Sequence, residues 1–106
     1  MEWVKIFSSS EDVRKRLIQN KAQLVLVRGI RICLVQTQRE LLAVADTCPH
    51  NGESLSKGSV NFLGEIVCPW HGQRFNLKTG RESAERSGDL DTFPIMENES
   101  GIFIGL

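Results

Sequence analysis

The chain has 106 residues, of which 41% are hydrophobic and 25% charged, and its 13 Lys and Arg are matched by 13 Asp and Glu. This is the length of one small domain, 1–106, with a core that is thin at this size; the even charge and a pI near 6.7 offer neither a basic face for nucleic acid nor attraction to an anionic membrane. Three Cys and two His remain to be followed one by one, and the odd number of Cys argues against a closed disulfide framework.

Met1 to Lys5 lacks the basic-then-apolar order of a secretory leader, and the longest purely apolar runs, Leu24–Val27 and Ile32–Val35, are far short of the roughly 20 residues of a spanning helix. A cytoplasmic protein is expected. Strand signals then dominate. Val4–Phe7, Leu24–Arg28, Ile30–Gln36 and Leu41–Ala45 are short branched-aliphatic runs, with a turn at Arg28-Gly29. One helix is expected over Ser10–Asn20, capped by Ser9 or Ser10, with Val13, Leu17 and Ile18 on one face packed across the sheet. Two late strands are expected at Asp91–Met96 and Gly101–Gly105, with a turn at Asn98–Gly101. Charge is uneven: residues 1–46 carry 8 basic and 5 acidic side chains, 47–81 carry 4 and 2, and 82–106 carry 1 and 6. The acidic end reads first as a solvated face.

Between the early and late strands lies a segment rich in Gly, Pro, His and Cys. Cys48-Pro49-His50 and Cys68-Pro69-Trp70-His71 each offer one thiolate and one imidazole, with 17 residues between His50 and Cys68. A common zinc finger takes two Cys from one short segment and two His from the other, because each segment closes two ligands on one ion. Here each segment is mixed. The mixture suits a dinuclear centre, with the two cysteines on one iron and the two histidines on the other, as in Rieske 2Fe-2S ligation. A mononuclear zinc site with a structural or sensing role is a separate reading of the same four residues.

The two segments resemble the Rieske family. Its first loop, CPHxGxxLxxG, is matched by Cys48, Pro49, His50, Gly52, Leu55 and Gly58; its second, CPWHGxxFxxxTG, by Cys68 through Gly72, Phe75, Thr79 and Gly80. The motifs cover residues 48–80. The resemblance implies an all-β fold, an antiparallel β-sandwich or barrel with one short helix and an inserted cluster-binding subdomain at about 45–80. It also implies one 2Fe-2S cluster held by Cys48, His50, Cys68 and His71. Gly52 and Gly72 fall where backbone amides would approach bridging sulfides and a Cβ would crowd them, and Pro49 and Pro69 stiffen the loops. Leu55 and Phe75 read as core residues. Trp70 stands open between a core role and a place at the cluster rim, where it would exclude water and contact a partner. Cys33, inside an apolar strand, reads as a buried, inert thiol.

The family's high-potential members carry an extra disulfide between the loops and a Ser and a Tyr after the second histidine. Asn51 to Ser54 and Pro69 to Trp70 contain no Cys, and Gln73 and Phe75 replace the hydroxyls. Rieske ferredoxins also carry a proline-bearing third loop, whereas Glu82 to Leu90 has no proline. With both histidines committed, none remains for the mononuclear iron of a terminal oxygenase. Neither GxGxxG nor a P-loop is present. The implied function is that of a monomeric Rieske-type ferredoxin, an electron carrier more than an enzyme, between a flavin-dependent reductase and a terminal oxygenase of aromatic or other apolar compounds. The alternative is the Rieske-like small subunit of a nitrite reductase-type complex, for which helix 10–20 would be a docking surface. Fewer donors to sulfur place the reduction potential toward the low end of the family's roughly −150 to +300 mV range. Redox titration is expected to give such a value; a midpoint above about +100 mV would contradict the reading.

Overall fold

A computed structural model describes residues 1–85 and 88–106. Its strands are β1 (Trp3–Phe7), β2 (Gln23–Val27), β3 (Ile30–Gln36), β4 (Leu41–Ala45), β5 (Ser59–Val60), β6 (Glu65–Val67), β7 (Arg74–Asn76), β8 (Thr92–Phe93), β9 (Ile95–Asn98) and β10 (Gly101–Gly105). They form three antiparallel sheets, ordered β1-β10-β9, β2-β3-β4-β8 and β5-β6-β7. The expected all-β architecture with one short helix is the one observed. Among the described residues no helix is long and apolar enough to cross a membrane.

β3 explains how one thin chain fills two cores. Its side chains alternate, so Ile32 and Leu34 enter one cluster with Phe7, Val13, Leu17, Ile102 and Ile104. Cys33 and Val35 enter the other, with Leu55, Ile66, Phe75 and Leu77. A strand covered on both faces reads as an unbroken apolar run, and this is why the alternation is invisible in the sequence. The first cluster joins the β1-β10-β9 sheet and the helix to the central sheet; the second lies under the small β5-β6-β7 sheet and contains Cys48 and Cys68.

The β2–β3 hairpin closes through Arg28 (φ 53°) and Gly29 (φ 79°), two left-handed residues whose twist matches that of the strands they join. The helix α1 is shorter than expected, Ser10–Arg16. Ser9 caps it by accepting from the Asp12 N–H at 3.1 Å. Leu17 is already extended, at φ −113° and ψ 143°, and the Asn20 N–H is drawn onto the Gln36 carbonyl of β3 at 2.8 Å. Ile18, expected on the buried face, is 67% exposed as a result. The single late strand expected at Asp91–Met96 is two strands in different sheets. β8 pairs with β4 and β9 with β10, and the chain changes sheet at Pro94, which lacks the N–H that would continue a ladder.

The small sheet is held to the first loop by Gly58, which ends a 3-10 turn at Leu55–Lys57. A Cβ on Gly58 would lie 1.9 Å from the carbonyl oxygen of Val67, the residue before Cys68. Gly58→Ala is therefore expected to force the two segments apart and cost about 1–3 kcal/mol, read as a lower urea midpoint. An unchanged midpoint would contradict this packing.

Candidate metal centre

The first loop leaves β4 through Asp46, and the second joins β6 to β7. Their backbones close in the same way although the histidines are spaced differently. The Cys48 N–H donates to the Glu53 carbonyl at 2.9 Å and the Gly52 N–H to the Cys48 carbonyl at 2.8 Å; Cys68 and Gln73, and Gly72 and Cys68, repeat the pattern at 2.8 and 3.1 Å. Gly52 and Gly72 have φ of 75° and 71°, and no atom lies within 4 Å of where a Cβ would stand on either. Both have the left-handed backbone that glycine adopts without strain, and the chain's own atoms leave the space beside each glycine open.

These turns bring the four candidate ligands together as two pairs. Cys48 and Cys68 are each 1% exposed. His50 and His71 are exposed, with ring centroids 6.1 Å apart and planes at 86°. Burial pushes the Cys48 thiol up, and the Cys68 thiol beside it adds to the effect, against the backbone N–H groups of His50 and Asn51, which draw it down. Two sulfurs buried together carry charge only against a cation, and backbone N–H groups already face one of them. Two buried thiols beside two exposed imidazoles are the donor chemistry that a 2Fe-2S cluster of mixed Cys and His ligation takes.

Trp70 lies at the rim: it is 65% exposed and its ring stands edge-on to His71 with centroids 5.7 Å apart. Leu55 and Phe75 are fully buried core residues, as expected. Cys33 is also fully buried, and burial followed by the nearby Asp46 carboxylate pushes its thiol up to about 12.

Three polar residues, Asp46, Asn51 and Glu82, are not singled out by the motifs as parts of the site, whereas Gln73 stands where the motif comparison places it. Asp46, fully buried, accepts from the Ser56 N–H at 2.8 Å, from the Ser54 hydroxyl and from Arg31 at 3.3 Å, fixing the far side of the first loop. The Asn51 amide lies against the Cys68 sulfur, with Nδ2 at 3.6 Å and Oδ1 at 3.8 Å. Gln73 and Glu82 are buried; Gln73 Nε2 donates to Glu82 Oε1 at 3.2 Å, which leaves Gln73 Oε1 3.9 Å from the Cys48 sulfur. No sequence spacing marks these partnerships, which are made by tertiary structure. The proline-free stretch Glu82 to Leu90 contains Arg86 and Ser87, which lie outside the described residues; of the rest, Leu90 is buried and its N–H donates to the Gly80 carbonyl at 2.7 Å.

A buried thiol pair beside an exposed imidazole pair on an antiparallel β fold is the donor set of iron–sulfur domains with mixed Cys and His ligation. The family model of the Rieske [2Fe-2S] domain matches residues 2–94. The chain belongs to that family, whose cofactor is one 2Fe-2S cluster. It is 37% identical over 68 residues to apoptosis-inducing factor 3 of Homo sapiens, a match covering 64% of this chain and 10% of the relative, so the chain matches only a small part of that protein. It is 36% identical over 76 residues to the 3-phenylpropionate/cinnamic acid dioxygenase ferredoxin subunit of Shigella boydii serotype 4 (strain Sb227), covering 71% and 72% of the two chains.

Among solved structures, the ferredoxin of carbazole 1,9a-dioxygenase from Nocardioides aromaticivorans IC177 matches with a TM-score of 0.81 at 20% identity over 99% and 98% of the chains. A chain in the complex of oxygenase and ferredoxin of carbazole 1,9a-dioxygenase matches at 0.79 and 25% identity over 97% and 92%. A small subunit described as that of an NADH-dependent nitrite reductase, from Mycobacterium tuberculosis, matches at 0.80 and 21% over 97% and 93%, a likeness of fold.

The raised thiol of Cys33 has a consequence for stability. Its folded-state value lies above its ordinary 9.0, so its contribution is complete below about pH 9 and is lost as pH rises toward 12. Stability is expected to fall over this window with a Cys33 share of up to about 1.4 kcal/mol per pH unit. Urea denaturation of Cys33→Val should show a shallower fall; equal slopes in both proteins would contradict it.

Proposed function

We propose that the chain is a Rieske-type ferredoxin that passes single electrons from a flavin-dependent reductase to a terminal oxygenase. In this reading Cys48 and Cys68 hold one iron and His50 and His71 the other, within a cluster-binding segment at about 45–80 of a single 1–106 unit. The observation that carries it is the pairing itself, buried sulfurs behind exposed imidazoles.

When bound, the cluster supplies a one-electron couple. The chain's own residues do the rest. Cys48 and Cys68, within the second core, keep water from the inner side of the centre. The exposed edges of His50 and His71 offer a short path to a docked partner, and Trp70 adds apolar surface beside that path. The loops are fixed by their own backbone hydrogen bonds and by Asp46, so an added electron need not move the ligands far.

The ferredoxin subunit of a dioxygenase among the relatives, and the oxygenase–ferredoxin complex among the similar structures, support an oxygenase as the downstream partner and an aromatic compound as the final substrate. A monomer in the cytoplasm completes the reading. The nitrite reductase-type alternative rests on likeness of fold alone. The full donor set favours the carrier.

The test is electron paramagnetic resonance of the dithionite-reduced protein. A rhombic signal with average g below the free-electron value is expected, and it should be lost in Cys48→Ser. Silence from a fully reduced, intact sample, or a colourless protein with stoichiometric zinc, would overturn the proposal.

A further inference from the structure

Asn51-Gly52 is the one Asn-Gly pair in the sequence, and it stands directly after the candidate ligands Cys48 and His50 of the first loop. Both residues are exposed. An asparagine followed by glycine is open to attack on its side-chain amide by the next backbone nitrogen, because glycine carries no Cβ to obstruct the approach. At Gly52 no atom lies within 4 Å of where a Cβ would stand, so the chain leaves this approach clear. Two hydrogen bonds engage the groups that would react. The Gly52 N–H donates to the Cys48 carbonyl at 2.8 Å, and Asn51 Oδ1 accepts from the Glu53 N–H at 2.9 Å. Both belong to the turn that carries the ligands, which is closed by the Cys48 N–H on the Glu53 carbonyl at 2.9 Å. In the second loop the residue before the matching glycine is His71, which has no side-chain amide.

We propose that Asn51 is a modification site gated by the cluster, intact while Cys48 and His50 are bound to iron and deamidated once the first loop is free to open. The inference rests on the ligand assignment of the carrier reading above. Bonds from Cys48 and His50 to metal pin a turn that hydrogen bonds alone leave to local opening. With the turn open, the Gly52 nitrogen bonds to Asn51 Cγ, the Cγ–Nδ2 bond breaks, and ammonia leaves with the proton that the Gly52 nitrogen gives up. Water then opens the cyclic imide at either carbonyl carbon, which yields aspartate or, with the main chain rerouted through the side chain, isoaspartate. No oxidant or reductant is required. Either product opposes a return of the cluster. The Asn51 amide lies 3.6 Å (Nδ2) and 3.8 Å (Oδ1) from the Cys68 sulfur, so a carboxylate there sets negative charge beside a sulfur that must itself be a thiolate to hold metal. Isoaspartate also adds a backbone atom inside the turn that the Cys48 N–H and the Glu53 carbonyl close. Loss of the cluster thereby becomes irreversible in a chain that has stood open.

Full chains with and without the cluster, incubated side by side at one pH and temperature, test this by peptide mass spectrometry, which reads the amide-to-acid mass gain at Asn51 and separates aspartate from isoaspartate by retention. Conversion in the cluster-free chain is expected to run about tenfold faster or more. Asn20, Asn61, Asn76 and Asn98, none followed by glycine, should stay unconverted over the same time. The aged cluster-free chain should then take up less iron and sulfide than a fresh one, in proportion to the fraction converted. Asn51→Gln, whose longer side chain closes the ring poorly, should take up as much after incubation as before. If Asn51→Gln holds no cluster from the outset, the mass spectra and iron uptake of the wild-type chain decide alone. Equal conversion with and without the cluster, no conversion in either, or undiminished uptake by a converted chain would overturn the inference while leaving the carrier reading in place. A wild-type protein that binds no cluster would overturn both.

Discussion

A central sheet with both faces buried is the constraint on which the rest of this small structure depends. β3 sends Ile32 and Leu34 to one side and Cys33 and Val35 to the other, and β4 divides in the same way with Ala43 and Val44. One face closes a sandwich with the terminal strands and the helix. The other supports the small sheet that carries the second candidate ligand loop, while the first loop grows directly from the end of β4. The spacing of the two loops is therefore set by the packing of the second core, where Leu55, Ile66, Phe75 and both loop cysteines meet. Gly58 and Asp46 are the two points at which this packing reaches the loop backbone.

This arrangement gives the centre an inner and an outer side. The sulfurs are withdrawn among apolar side chains and the imidazoles face out. In the carrier reading the buried side anchors the centre and the imidazole side is the one a partner reaches. Of the polar groups near the sulfurs, the exposed Asn51 accepts from the Glu53 N–H through Oδ1, and the buried Gln73 donates to Glu82 through Nε2.

The four candidate ligands stand out in the sequence because loop motifs fix residue types at fixed spacings, and the structure brings the two cysteines side by side and the two histidine rings within 6.1 Å. β1, β2, β3, β4 and β10 were legible as apolar runs. β5, β6 and β7 were not: Ser59–Val60, Glu65–Val67 and Arg74–Asn76 are too short and too polar to rise above the turn signals around them. The split of the late strand at Pro94 was hidden because two short strands in different sheets read as one run. The end of α1 was misread because the pull on Asn20 comes from Gln36, a residue far along the chain. Gln73 is marked by its motif position, but Asp46, Asn51 and Glu82 are ordinary polar residues in sequence, and the closure of the loops makes them neighbours of the sulfurs, of Gln73 or of the first loop. At positions 52 and 72 the structure adds a reason for glycine that the sequence does not show, the left-handed backbone that ends each loop.

The central claim is that one chain holds two irons in unlike surroundings, one on the buried sulfurs and one on the exposed imidazoles. Mössbauer spectroscopy of the protein loaded with the iron-57 isotope tests it most directly. The account predicts two equally populated, inequivalent iron sites in the oxidised protein and, on reduction, a localised ferrous site on the histidine-ligated iron. One iron environment per chain, or two indistinguishable sites, would contradict it.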